Sequence, residues 1–442
     1  MTIYDTTSTS APFPAGAGDG FVPATVLDVE LSEPLQGIRC DGQHRRVWVV
    51  GRLYSEPLGI CVLRLGPDGV APGQLAAMLW PGFREAVCAR FNAAGLPPPA
   101  ALTGAGLRGD RARWPFLVRR RAVLDSPPFI SVVICTRDRP GQLAACLRRL
   151  GELQYPRYEV VVVDNAADDA VRAMVEASQG VPGLRYVAEP RAGLSWARNA
   201  GTVAAAGEII AFLDDDEEPD KYWLAGLACG FSQADDIGCV SGMVVPARID
   251  TPAQELFEQV GGHCKGRGFY PAVFSRHGPQ NPLYPLPPFG VGANMAFRRE
   301  ALARIGGFDV ALGAGTPACA GEDTLALTLV LLSGYRIAYE PAALMRHHHR
   351  TDLDSLGSQL QGYGTGLTAY YAALLRKRPA TLPALLRLLP AAAGYLRRRD
   401  AGSAGLPPGL SRRQRWGMLT GPAAYLRSVG RQARAGGRRR SC

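Results

Sequence analysis

The stretch SVVICTRDRP, residues 131–140, passes from an unbroken apolar run to charged residues and then to a proline. The run Ile130–Cys135 predicts a strand that is buried on both faces, as the strands of parallel sheets are. Proline is favoured in the first turn of a helix, so we expect a helix from Pro140 to about Leu153. The stretch therefore predicts a strand–loop–helix unit, from which α/β domains are built.

The same alternation of apolar runs and helical segments continues along the chain. Apolar runs at Val160–Val163, Leu184–Val187 and Ile209–Leu213 predict three more strands. The segments between them, which end near Ala177 and Ala206, predict helices. Because a helix between consecutive strands favours parallel pairing, we expect an α/β domain with a mostly parallel sheet flanked by helices.

Polar or acidic side chains stand at the carboxyl end of each of these four predicted strands. The clusters are Thr136-Arg137-Asp138, Asp164-Asn165, Glu189-Pro190-Arg191 and Asp214-Asp215-Asp216. Ligands of open α/β sheets bind outside the carboxyl ends of the strands. We therefore expect the four clusters to converge on one crevice.

The triplet Asp214-Asp215-Asp216 places three carboxylates in succession after a buried strand. Such carboxylates repel one another unless a cation neutralises them, and hard divalent cations prefer oxygen ligands. The triplet therefore favours a Mg²⁺ or Mn²⁺ site. A solvated acidic turn before the next helix is the alternative, because Glu217 and Glu218 continue the charge.

Two further clusters have both a ligand-binding and a purely structural interpretation. Asp164 and Asn165 could bind a nucleoside, yet Asp and Asn are also favoured as helix caps. Arg191, Arg198 and Asn199 flank the helix predicted near Ser195, and Arg can grip a phosphate with two parallel hydrogen bonds. Ordinary surface arginines are the alternative there.

Acidic residues open a later predicted helix, and histidines follow a later predicted strand. In Gly321-Glu322-Asp323 a carboxylate could cap the helix or act as the general base for an acceptor hydroxyl. In His347-His348-His349 a neutral imidazole could ligate a metal or contact a diphosphate. A merely exposed run of histidines is the alternative.

Seven short motifs stand in a fixed order, and together they carry a resemblance. They are SVVICTRDRP (131–140), VVVDN (161–165), EPRAGLSWARN (189–199), FLDDD (212–216), GANMAFR (292–298), GGFD (306–309) and GED (321–323). In this order they resemble the family 2 glycosyltransferases, over roughly residues 128–352. The resemblance implies a GT-A type nucleotide-binding domain. It also implies a nucleotide-diphosphate sugar as donor, a divalent metal as cofactor, and inversion at the anomeric carbon.

The resemblance also implies roles for residues within the motifs. Asp323 would be the catalytic base, and Glu322 would help to position the acceptor or the loop. The metal ligands are expected among Asp216, Asp214, His347 and His349, with Asp216 foremost. The residues expected to bind the donor are Thr136, Arg137, Asp138, Asp164, Asn165, Glu189, Arg191, Arg198, Asn199, Asp214 and Asp215.

Transfer of a single sugar is favoured over polymer synthesis. The Gln-x-x-Arg-Trp motif of processive synthases in this family is missing, since Gln414-Arg415-Trp416 lies past the catalytic region and lacks the spacing. A lipid-linked saccharide or a small metabolite is expected as acceptor. One alternative is a nucleotidyltransferase, although residues 136–140 lack the glycines of a triphosphate loop. The other is a non-catalytic nucleotide-sugar binding protein, which would not need Glu322-Asp323.

Composition and charge divide the chain into four predicted segments. They are a disordered lead (1–22), a small N-terminal α+β accessory domain (23–125), the glycosyltransferase domain (126–352) and a helical basic C-terminal region (353–442). From Arg376 onward nearly every charged residue is Arg or Lys, and Asp400 is the one acid. This basic tail predicts a solvated surface or contact with anionic lipid, and it lacks the interleaved aromatics of nucleic-acid binding.

The cysteines and the apolar runs bear on the expected location of the chain. The ten cysteines form no Cys-x-x-Cys pair, so zinc-finger spacing is absent. The sequence contains no run of about 18 uninterrupted apolar residues, so we predict no membrane-spanning helix. We expect a cytoplasmic protein with reduced thiols, and the basic tail leaves peripheral contact with the cytoplasmic face of a membrane open as an alternative to a solvated surface.

Overall fold

The computed structural model describes residues 21–39, 45–264, 266–283, 289–390, 394 and 406–437. The chain divides into two compact units, each of them discontinuous in sequence. Unit 1 contains Met1–Ser126, Val245–Tyr270 and Arg346–Asp352, and unit 2 contains Pro127–Val244, Pro271–Met345 and Leu353–Cys442. The predicted disordered lead lies, up to residue 20, outside the described residues.

Unit 1 contains a three-stranded sheet within its described residues. Strand β1 (Ala24–Glu30) pairs in parallel with β2 (Arg46–Leu53), which forms an antiparallel hairpin with β3 (Glu56–Arg64). Helix α1 (Pro72–Ala93) packs against β3. The other helical elements of unit 1 are the 3₁₀ turn Arg111–Arg113, α2 (Pro115–Asp125) and α7 (Pro252–Gln259).

Unit 2 is organised around a mixed sheet. Its strands are β4 (Ile130–Thr136), β5 (Tyr158–Asp164), β6 (Arg185–Ala188), β7 (Ile209–Asp214), β8 (Glu217–Pro219), β9 (Ile237–Pro246), β10 (Ala272–Phe274), β11 (Met295–Arg298) and β12 (Arg336–His347). The described strands are ordered β10-β12-β9-β11-β7-β4-β5-β6, with β8 paired to β12. The last residues of β9 and β12 belong to unit 1.

The parallel part of this sheet is the part that the apolar runs predict. Strand β4 pairs in parallel with β5 and β7, and β5 pairs in parallel with β6. Strand β11 is antiparallel to both β7 and β9, so the whole sheet is mixed. The predicted α/β class, with helices flanking the sheet, is confirmed, but the sheet is mixed and not mostly parallel as predicted, because β10 and β11 pair antiparallel with their neighbours.

The helices of unit 2 connect and cover these strands. They are α3 (Pro140–Gly151), α4 (Asp169–Ala177), α5 (Leu194–Ala204), α6 (Trp223–Phe231), α8 (Arg299–Ile305), α9 (Glu322–Leu332), α10 (Leu353–Lys377), the 3₁₀ turn Pro379–Thr381, α11 (residues 382–390) and α12 (Pro408–Gly437). Helix α5 lies close against β4 and β5. A Cβ atom at Gly201 would be 2.3 Å from a methyl carbon of Val133 and 3.0 Å from one of Val163, so the close approach depends on glycine at this position. The predicted helical C-terminal region is confirmed.

Helices α10 and α12 pack along each other, and glycines make the close approach possible. A Cβ atom at Gly364 would lie 2.1 Å from the carbonyl oxygen of Gln414, and one at Gly417 would lie 2.2 Å from that of Gln361. Glycine has a low helix propensity, but these glycines are needed because a larger residue would not fit where the two backbones meet. No helix in the described part of the chain has the length and apolar character to cross a bilayer.

Candidate active site

The carboxyl ends of the four parallel strands lie side by side. The register places Asp214 of β7 beside Cys135 of β4, and Thr136 of β4 beside Asp164 of β5. Asp164 in turn lies beside Ala188, the last residue of β6. The clusters that follow these strands therefore start from one edge of the sheet, as the apolar pattern predicts.

Asp215, the middle carboxylate of the acidic triplet, is held by protein donors. It accepts a hydrogen bond from the Thr136 hydroxyl at 2.8 Å and one from Arg139 at 3.1 Å. The same Arg139 nitrogen lies 3.5 Å from an oxygen of Asp216. Arg139 is absent from the predicted site residues, although it stands in the first motif and its charge was a usable signal.

Arg198 is the cation at the centre of the site. Its side chain is 2% exposed, so the alternative of an ordinary surface arginine is wrong for this residue. One guanidinium nitrogen lies 2.8 Å from Glu322, and the other lies 3.5 Å from Asp214. Arg198 therefore links the first turn of α9 to the acidic triplet.

The site holds more carboxylates than cations, and burial makes their ionisation unfavourable. Burial raises the pKa of Asp214 to about 6 against the effect of Arg198, and the charges of Asp216 and Asp215 add to the increase. Burial and the charge of Asp323 raise the pKa of Glu322 to about 7, against the effect of Arg198. The excess of negative charge is a physical reason to expect a bound cation here.

The donor set suits a hard divalent ion. The acidic triplet offers carboxylate oxygens, the ligands that Mg²⁺ and Mn²⁺ prefer. Glu217, next to the triplet, accepts a hydrogen bond from the backbone N–H of Asp214 at 3.0 Å, and burial together with the charge of Asp214 raises the pKa of its carboxyl well above the usual range. Its other oxygen is buried without a hydrogen-bond partner among the described residues. Asp214 and Asp216 therefore fit the role of metal ligands.

Asp323 lies at the start of α9 and is fixed by backbone donors. Its carboxylate accepts hydrogen bonds from Gly292 N–H and Thr324 N–H, both at 2.7 Å. A Cβ atom at Gly292 would come within 2.9 Å of that carboxylate, so a larger residue there would force the Asp323 side chain to shift. The side chain is partly exposed, which suits a group that meets an acceptor.

Asp164 organises the loop after β5. Its carboxylate accepts hydrogen bonds from Ala166 N–H at 2.9 Å, Asp168 N–H at 2.7 Å and the Tyr186 hydroxyl at 3.0 Å. The residue that caps α4 is Asp168, which accepts from Ala170 N–H. Asp164 thus shapes the loop rather than capping the helix directly.

A second loop network joins the ends of β5 and β6. The Asn165 amide donates to the carbonyl oxygens of Glu189 and Arg191, and its oxygen accepts from Gly193 N–H at 2.8 Å. Arg191 binds Glu189 through its Nε at 2.7 Å and lies 3.7 Å above the Trp196 ring. The predicted residues Asn165, Glu189 and Arg191 are therefore brought together in one network.

The three remaining predicted donor-binding residues have different surroundings. The amide of Asn199 is engaged with backbone, since it exchanges hydrogen bonds of 2.9 Å with the N–H and carbonyl of Phe308. Arg137 and Asp138 form an exposed ion pair of 3.5 Å, with Asp138 in the left-handed region at a φ of 55°. Their predicted contact with a donor stays a prediction.

The two histidines predicted as metal ligands lie in unit 1, whereas the acidic triplet and Asp323 belong to unit 2. His347 and His349 are buried, so the alternative of an exposed run is wrong for both. Burial lowers the pKa of His347 well below its usual range. His263, which no sequence motif singles out, lies with them.

A known protein family matches the part of the chain that contains the four parallel strands. Residues 131–306 match the model of glycosyl transferase family 2, and this segment of the chain is a family 2 glycosyltransferase domain. The predicted family and enzyme class are thereby confirmed. Glu322, Asp323 and the two histidines lie beyond the matched residues.

Several known proteins are similar to this chain. The glucosyl-dolichyl phosphate glucuronosyltransferase of Haloferax volcanii is 24% identical over 248 residues, which cover 53% of this chain and 75% of the relative. The pre-mycofactocin glycosyltransferase of Mycobacterium tuberculosis is 26% identical over 242 residues, which cover 53% of this chain but 46% of the relative. The chain thus spans less than half the length of the second relative.

One of the solved structures that are similar at low identity covers most of this chain. It is a mannosyltransferase from Pyrobaculum calidifontis in complex with GDP-Man and Mn²⁺. The identity is 22% and the TM-score is 0.42, with 71% of this chain and 92% of that chain covered.

Proposed function

We propose that the protein transfers a single sugar from a nucleotide-diphosphate sugar to an acceptor hydroxyl, with inversion and with the help of Mn²⁺ or Mg²⁺. One chain of contacts in unit 2 carries the proposal. Gly292 donates its N–H to Asp323, and its carbonyl oxygen lies 3.4 Å from Arg198, which lies 3.5 Å from Asp214. A candidate base and a candidate metal site are thus connected through one peptide unit and one arginine.

Each member of this chain of contacts has a chemical task in the proposed reaction. Asp214 and Asp216 would hold the metal, whose charge offsets that of the leaving diphosphate. Asp323, fixed by two backbone donors, would take the proton of the attacking hydroxyl. Glu322 would keep Arg198 in place, because both side chains are buried and directly paired. Attack from the side opposite the leaving group gives inversion.

A thermal-shift screen of nucleotide sugars tests the proposal. At least one nucleotide-diphosphate sugar is expected to raise the melting temperature in the presence of Mn²⁺ or Mg²⁺, because a ligand that binds the folded state stabilises it. The same sugar with EDTA in place of the metal is the control. If no common donor shifts the transition with either metal, the proposed function is wrong.

We propose further that the acceptor is a lipid-linked saccharide, reached at the cytoplasmic face of a membrane. The lipid-linked substrate in the name of the Haloferax relative supports this choice. Helix α11 exposes Leu382, Leu386 and Leu389, whose spacing puts them on one face. Helix α12 exposes Trp416 and Leu419 among basic residues, a combination that suits an anionic lipid surface. A small metabolite is the other acceptor class.

Liposome co-sedimentation tests the membrane contact. The full chain is expected to bind vesicles with anionic lipid, and the double variant Trp416→Ser, Leu419→Ser is expected to bind about 10-fold more weakly, because two large apolar side chains no longer enter the lipid. Val203→Ser in α5, where the valine is 86% exposed, is the matched control. Wild-type protein that stays in the supernatant would contradict the proposal.

A further inference from the structure

Three buried histidines of unit 1 converge on one point. One ring nitrogen from each of His263, His347 and His349 lies within 4.8 Å of the others. The Nδ1 atoms of His347 and His349 are 2.8 Å apart. A tetrahedral ion with bonds of about 2.0–2.1 Å would place its imidazole nitrogens about 3.4 Å apart, inside this range of separations.

A buried carboxylate orients one of the three rings. Glu258 of α7 lies 2.6 Å from Nε2 of His349, and both side chains are 2% exposed. This contact leaves Nδ1 of His349 directed at the other histidines. A carboxylate on the far nitrogen of a ligating histidine is a recurrent feature of protein metal sites, because it fixes the ring and its tautomer.

The histidine cluster is tightly packed. The Phe257 ring packs edge-on against His263 at 5.1 Å and against His349 at 4.8 Å between centroids. A Cβ atom at Gly262 would lie 2.5 Å from an oxygen of Glu258, so this glycine leaves room for the carboxylate. The cluster is therefore built into unit 1, with its rings held by packing as well as by hydrogen bonds.

We propose that His263, His347 and His349 bind a transition-metal ion of the zinc class, in a site of their own in unit 1. Three imidazole nitrogens suit Zn²⁺ and similar borderline ions, whereas Mg²⁺ and Mn²⁺ prefer the carboxylate oxygens of the acidic triplet. The ligands come from two segments distant in sequence, the one after α7 and the end of β12. The ion would tie these segments together and stabilise unit 1.

Metal analysis of the full-length protein tests this site without relying on activity. Wild-type protein dialysed against zinc is expected to keep about one ion per chain by mass spectrometry of the metal content. His263→Ala and His347→Ala should lose it, whereas Asp216→Asn should keep it, because Asp216 belongs to the acidic triplet. His277→Ala, which removes an exposed histidine, is the matched control.

A cobalt experiment uses only wild-type protein and Asp216→Asn, so its result does not depend on whether the histidine variants fold. Wild-type protein and Asp216→Asn loaded with Co²⁺ are expected to show the intense visible absorption of a tetrahedral site. A wild-type protein that keeps no zinc and gives no such absorption would overturn the proposal and show that the histidines form a hydrogen-bonded core. Loss of the ion in Asp216→Asn would also overturn it, and would assign the histidines to the metal of the donor site. Either outcome leaves the nucleotide-sugar screen unaffected.

Discussion

Asp323→Asn is expected to lower the turnover number about 1,000-fold and to leave the affinity for the nucleotide sugar nearly unchanged. The amide keeps the shape of the side chain, and its single oxygen can accept from one of the two backbone donors, Gly292 and Thr324. It cannot take the proton of an acceptor hydroxyl. The measurement is a comparison of turnover with the dissociation constant of the donor by calorimetry in the presence of Mn²⁺.

The control for this variant is another acid in the first turn of a helix. Asp169→Asn removes an exposed carboxylate from the start of α4, so it reports the effect of a helix-start charge alone. It is expected to leave turnover unchanged. Undiminished turnover in Asp323→Asn would reject the base assignment, and equal losses of turnover and donor affinity would instead place Asp323 in donor binding.

Asp216→Ala is expected to weaken metal-dependent donor binding by at least about 100-fold, because in the proposed site it removes a direct oxygen ligand from the metal ion. Calorimetry with the donor at fixed Mn²⁺ concentration measures the change. The affinity measured in EDTA should hardly differ between the variant and the wild type, since the lost interaction exists only with the metal bound.

A neighbouring acid is a matched control for Asp216. Glu218→Ala also deletes a carboxylate of the acidic run, but Glu218 forms a surface ion pair with Arg149 at 3.3 Å. Exposed pairs of this kind contribute little, so donor binding should persist in that variant. Wild-type affinity in Asp216→Ala would remove Asp216 from the metal ligands.

The parallel half of the sheet could be predicted from the chain alone. Buried parallel strands are unbroken apolar runs, and Ile130–Cys135 and its three successors have this pattern. The carboxyl ends of parallel strands lie at the same edge of a sheet, and this rule predicts that Asp164, Thr136 and Asp214 lie near one another. Strand β1 was beyond such a prediction, because Asp28 and Glu30 interrupt its apolar pattern.

The partners within the candidate site were not predictable from local pattern. Arg198 pairs with Glu322 across 124 residues of sequence, and no spacing rule joins residues so far apart. His263 follows α7 as a single histidine, and only the fold brings it to His347 and His349. Residue types at strand ends can be found in a sequence, whereas a contact between distant loops depends on tertiary packing.

The backbone of Gly292 has a consequence for attempts to change which sugar the enzyme accepts. Its N–H donates to Asp323, the proposed base, and its carbonyl oxygen faces the guanidinium of Arg198, which lies next to Asp214, a proposed metal ligand. A change in the backbone around Gly292 would therefore displace the proposed base and the proposed metal site together. We therefore expect sugar preference to be easier to change by substituting side chains that contact the sugar, provided that the substitutions leave the backbone at Gly292 in place.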